Sequence, residues 1–229
     1  MNIDWLHLLA ALVLLWFPRQ ALHLGGDIFR FRRQRRPKDT NPAKTREHGD
    51  PSLSFGVEFS KPRNYIDLAR SLLGAYILLG LFPGFNPAFG PAPDSPVSTQ
   101  YLALYLTMFV MIVGVLIQIF RFEGRMTMFP PIWYLTGLTF AMPDPKAAAF
   151  AVGLIWPINL VLPNPTAFLS IYSLLIAIFG FLFVGLTDQH VYFMAGMIFL
   201  PVLVSMLARR RLVMFSKRVK SGGSTAPMS

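Results

Sequence analysis

The chain contains no cysteine. Structural disulfides, thiolate-bound zinc, iron–sulfur clusters and cysteine nucleophiles are therefore excluded. Charge is also scarce. Only 14% of the 229 residues are Asp, Glu, Lys or Arg, against about 25% in soluble domains. Acidic residues are scarcer still, 11 against 21 Lys and Arg, for a formal net charge of +10. Nucleotide and hydrolase signatures are missing as well. There is no Walker A loop, no G-x-G-x-x-G, no G-x-S-x-G and no H-E-x-x-H.

What is present is apolar length. The composition is 54% apolar and the mean hydropathy is +0.49. Several nearly charge-free runs of roughly 17 to 21 residues are long enough to cross a ~30 Å hydrocarbon layer as helix. A closed β-barrel is the only other spanning solution, and it needs strict polar–apolar alternation. These runs are apolar throughout. The expected fold is therefore all-α, a polytopic transmembrane helical bundle of about seven spans. They cover residues 5–24 (interrupted by Pro18, Arg19 and Gln20), 65–81, 101–120, 126–142, 147–162, 167–186 and 191–208.

Seven spans sort the loops onto two sides. One side receives Arg19, the ten Lys and Arg of residues 25–64, Arg70, Arg121, Arg125 and the six of the C-terminal tail, which is 20 of the 21 basic residues. The other receives Lys146 with Asp4, Asp94, Asp144 and Asp188. The positive-inside rule then places the N-terminus outside and the C-terminus in the cytoplasm, an arrangement expected of a bacterial inner membrane protein. A cleaved signal peptide would need a positive n-region, and the chain begins Met-Asn-Ile-Asp. Cleavage would also leave the basic loop outside.

The fourth and fifth runs are short, about 25 Å each at ~1.5 Å per residue. The alternative is five spans plus a re-entrant hairpin at 126–162. Its tip would bury Asp144 and Lys146 near the midplane, which is costly, so seven full spans are preferred. Residues 1–208 then form one transmembrane domain with a basic cytoplasmic loop at 25–64, and 209–229 form a basic, partly disordered tail. The Pro-, Gly- and Ser-rich segment 83–99 reads as an outside loop. A shift of 44 residues aligns Asp144 with Asp188, Ala151 with Ala195 and Pro157 with Pro201. Parallel repeats occur in transporters, but apolar helices resemble one another without duplication.

Four polar residues form a candidate intramembrane site. Asp67 and Arg70 are one turn apart and can pair on one helix face. Such a pair can line a cavity or a proton path. The structural reading is a capping-box-like start, Asn64 followed by Asp67, with a snorkelling arginine. Gln118 lies near the cytoplasmic end of the third run. Asn159 follows Pro157 in "WPIN", where an amide can satisfy the carbonyl that proline frees. Broken helices also build ion and substrate sites. His7 and His190 share a depth on the outside and could ligate a haem b. His190 with Asp188 lacks a third ligand for zinc, so no metal site is expected. A retinal protein would need a lysine in the last run, and residues 191–208 have none.

The stretch "GGDIFRFRRQRRPK" carries Arg30, Arg32, Arg33, Arg35, Arg36 and Lys38. Basic residues with interleaved aromatics can mark nucleic acid. Here they follow a span on the cytoplasmic side, where anionic headgroups attract about 1 kcal/mol per charge. Lipid anchoring, or an acidic protein partner, is expected instead of nucleic acid. Transporters of polar solutes usually carry more intramembrane ionisable groups than these runs do. The expected function is a non-catalytic subunit or scaffold of a larger membrane assembly. The alternatives are a small transporter or channel using proline-kinked spans, and a haem-binding redox subunit.

Overall fold

A computed structural model describes residues 2–19, 58–91, 96–123, 125–142, 144–162, 164–210 and 212. Among the described residues the architecture is helical, with seven α-helices and two small antiparallel sheets. Strand β1 (Asn2–Ile3) precedes α1 (Trp5–Trp16) and α2 (Pro62–Leu79). Strand β2 (Phe89–Gly90) is followed by α3 (Val97–Ile119), then the hairpin β3 (Phe120–Glu123) and β4 (Arg125–Met128). Helices α4 (Ile132–Ala141), α5 (Pro145–Ile158), α6 (Pro165–Phe183) and α7 (Gln189–Leu207) complete the bundle, with a 3-10 turn at Asn159–Val161 after α5.

Three helices, α3, α6 and α7, are long and apolar enough to cross a membrane, as befits an integral membrane protein. The other four are shorter or more polar. Helix α1 stops at Trp16, because Pro18 cannot supply the N–H that another turn needs. The expected run from Met126 does not begin as helix. Met126–Met128 pair with Phe120–Phe122 in the hairpin, which leaves α4 only ten residues, about 15 Å. Residues Ile132 to Thr139 are all buried. A helix that is apolar all round belongs inside a bundle, so α4 is the interior element against which α2, α5 and α7 pack. Helices α2, α5 and α6 begin at Pro62, Pro145 and Pro165, two or three residues ahead of the apolar runs. Proline suits the first helical turn, where its missing N–H has no partner to lose.

Helix α2 buries Asn64, Asp67, Arg70, Ser71, Gly74, Ala75 and Leu78, a stripe at helical spacing. Where α2 meets α4 the backbones approach closely. A Cβ on Gly137 would collide with Ser71 Oγ and the Leu68 carbonyl. The strands tie α1 to the segment after α2: β1 pairs with β2, and Asp4 N–H donates to Ala88 O at 3.0 Å. Part of the expected outside loop is thus ordered. At the opposite end of the bundle, Met128 bridges to Leu212 beyond α7. Helices α6 and α7 run antiparallel around the contact of Gly180 with Val191 and the 2.7 Å bond from Ser173 Oγ to Ala195 O. The residues aligned by the 44-residue shift are alike at their starts. Asp144 caps α5 and Asp188 caps α7, each accepting from the backbone two residues on. They differ later, since α5 ends one residue after Pro157 while α7 continues past Pro201 to Leu207.

Candidate functional site

The end of α1 opposite Asp4 presents a problem of unpaired carbonyls. The last C=O groups of any helix lack intrahelical donors and carry the negative end of its dipole. Here three other helices supply the donors. Tyr134 Oη of α4 donates to Leu15 O at 3.0 Å. Gln118 Nε2 of α3 donates to Phe17 O at 3.0 Å. Arg70 Nη1 of α2 also donates to Phe17 O. Glycine at position 114 makes the first of these possible, because a Cβ there would lie 2.6 Å from Tyr134 Oη.

The donors are organised by one carboxylate. Asp67, 1% exposed, accepts from Arg70 Nε at 3.0 Å, and its other oxygen lies 2.9 Å from Arg19 Nε. Gln118 Oε1 accepts from Arg70 Nη2 at 2.8 Å and from the Arg19 backbone N–H at 3.1 Å. Arg19 Nη2 donates to Asn64 Oδ1 at 2.6 Å. Asn64 in turn donates to Glu58 Oε2 at 2.9 Å and Glu58 O at 2.8 Å. Lys61 Nζ reaches Glu58 Oε1 at 2.5 Å. Both guanidinium groups also lie over aromatic faces, Arg19 5.0 Å from the Phe129 ring centroid and Arg70 5.3 Å from that of Tyr134. Opposite charges, shared acceptors and ring faces compensate the cost of burying these ions.

Of the expected polar site, Asp67, Arg70 and Gln118 come together. Asn159 sits elsewhere, buried in the turn that ends α5. Two local expectations fail. Asn64 is not a cap, because Lys61 holds that position without a side-chain bond and Asn64 lies inside the first turn. Arg70 does not snorkel, since its guanidinium is turned inward onto α1. Arg19, Glu58 and Tyr134 were not expected members. Arg19 and Glu58 border the basic segment 20–57, and only the tertiary fold brings them into one network.

His7 and His190 lie at the Asp4 end of the bundle, each turned toward its own cap. His7 Nδ1 is 2.7 Å from Asp4 Oδ2, with the ring against Phe85 at 4.7 Å between centroids. His190 Nδ1 is 2.8 Å from Asp188 Oδ1. The His7 backbone N–H bonded to the Asp4 carboxylate holds that carboxyl below its ordinary value, helped by the His7 side chain. No group of three or more His, Asp or Glu gathers among the described residues. Arg30, Arg32, Arg33, Arg35, Arg36 and Lys38 lie outside the described residues. Comparison with protein-family models, with curated proteins and with solved structures returned no match.

Proposed function

We propose that this chain is a seven-element integral membrane protein, N-terminus outside and C-terminus cytoplasmic in a bacterial inner membrane, working as a non-catalytic subunit or scaffold. One observation carries the scaffold reading. The ionisable side chains of the Asp67 cluster are engaged with one another and with the end of α1, in the manner of a joint and not of a reaction centre. A general acid or base must present a reactive atom to a substrate; Asp67 has both oxygens against arginines. The orientation rests on the one-sided distribution of basic residues. Partner binding is assigned to the basic segment with Arg30, Arg32, Arg33, Arg35, Arg36 and Lys38, facing anionic headgroups or an acidic protein.

The test is purification in mild detergent with mass spectrometry of co-eluting chains, for the native chain and for a variant with these six residues changed to Ser. A defined partner retained by the native chain and lost from the variant is the expected result. A monodisperse lone chain in both preparations overturns the scaffold reading.

A haem-binding reading has one observation of its own. The cap carboxylates engage Nδ1 of both His7 and His190, and such an arrangement leaves Nε2 as the ligating nitrogen. A Soret band in the purified protein, lost in His7→Ala, is the result that reading requires.

A further inference from the structure

Residues 147–187 are 41 consecutive positions without Asp, Glu, Lys, Arg or His. They include nearly all of α5, its 3-10 turn, and α6, whose antiparallel packing is marked by Phe150 on Phe183 and Trp156 on Phe168. The connection between these helices lies at the Arg19 end of the bundle, where every other chain segment carries Lys or Arg. It carries none. Among the described residues it also holds the two most exposed of the large apolar side chains, Leu160 and Val161, each 81% exposed.

The backbone of this connection has few N–H donors, and part of it is bonded locally. Pro163 and Pro165 have no N–H. Leu162 N–H donates to Asn159 O at 3.3 Å. Asn164 Oδ1 accepts from Ala167 N–H at 2.8 Å, and Asn164 O from Phe168 N–H at 3.2 Å. Backbone can sit in hydrocarbon only when its polar groups are satisfied internally. The other end of the bundle differs, with Asp144 and Lys146 at the start of α5, and Asp188 and His190 at the start of α7.

We infer that the α5–α6 turn is seated in the bilayer, with Leu160 and Val161 against lipid acyl chains of the leaflet at the Arg19 end. This rests on the membrane reading above. Two exposed aliphatic side chains gain by leaving water, and no charge in residues 147–187 opposes it. A lipid occupant is favoured over a protein one because the donor-poor backbone extends the apolar character from the side chains to the main chain.

The absence of native cysteine makes the test direct. Single variants Leu160→Cys, Val161→Cys, Phe109→Cys, Lys146→Cys and Arg210→Cys are purified and reconstituted into phosphatidylethanolamine–phosphatidylglycerol vesicles. A water-soluble maleimide is supplied on both faces, so that orientation does not matter. Phe109, exposed in the middle of α3, reports on membrane embedding itself. Lys146→Cys and Arg210→Cys are expected to react fast. Leu160→Cys and Val161→Cys should react an order of magnitude more slowly, like Phe109→Cys, because a thiol in hydrocarbon neither ionises nor meets the reagent. A nitroxide at Val161 should be relaxed more by oxygen than by a water-soluble nickel chelate. Fast labelling at 160 and 161 with Phe109→Cys protected overturns this inference alone. Fast labelling at Phe109→Cys overturns the membrane reading. Protection with little relaxation by either oxygen or the nickel chelate means burial by another protein copy, which also overturns it.

Discussion

Arg19 Nε stands 2.9 Å from Asp67 Oδ2, and the two residues lie on opposite sides of the basic segment 20–57. This ion pair, with the Arg70 pair on the same carboxylate, joins the end of α1 to the middle of α2. Its burial makes it sensitive to losing one partner.

Asp67→Asn should therefore destabilise the protein strongly. Removing one member of a buried ion pair costs about 3–5 kcal/mol, because the remaining charge is left uncompensated. Thermal unfolding in detergent, followed by tryptophan fluorescence, measures it. Arg19→Met combined with Asp67→Asn should cost clearly less than the sum of the two single changes. Strict additivity would mean that the two residues do not interact.

Gly137→Ala should cost about 1–3 kcal/mol or more, as overpacking of a tight core does. Ser71→Ala should not rescue it. The Leu68 carbonyl also occupies the space of the new methyl group, and backbone cannot rotate away as a hydroxyl can. Full rescue in the double variant would disprove the close α2–α4 contact.

Tyr134→Phe removes one donor from Leu15 O while Gln118 Nε2 remains 3.4 Å away. The expected loss is about 0.5–1.5 kcal/mol, the net worth of an ordinary hydrogen bond. Gly114→Ala should disturb the same bond by pushing on the phenol. The two substitutions together should be sub-additive in the same unfolding assay.

Asp4 gives a pH dependence with a definite sign. Its carboxyl is held below the ordinary value by the His7 N–H in the first turn of α1. A folded-state pKa below the unfolded one means stability that is present above the unfolded value, about 3.9, and lost as pH falls through the folded value. Asp4→Ala should lower the melting temperature at neutral pH. The difference from the native chain should shrink as the solution is acidified below about pH 4. A gap that stays constant to strongly acid pH would rule out this titration as its source.

The helical class was legible because seven apolar runs need no tertiary information to be seen. Boundaries were less so, for identifiable reasons. The run from Met126 looked helical because Met, Phe and Thr suit a strand as well as an apolar helix, and the hairpin pairing of Phe120 with Met128 is a tertiary fact. Asp67, Arg70 and Gln118 stood out as polar residues in apolar surroundings. Arg19 and Glu58 did not, because each borders a charged segment and reads there as one more solvated residue. Tyr134 passed for an ordinary aromatic; its role depends on where α1 ends and on the missing side chain at Gly114.

Asn64 accepts from Arg19 with one atom and donates to Glu58 with another. Arg19 and Glu58, the described residues on either side of 20–57, are therefore held at a single footing. A pull applied at either residue loads one point, not two separate helices. The force passes through a hydrogen-bonded joint into α1, α2 and α3 together, so the bundle meets it as a unit and is not prised open between neighbouring helices.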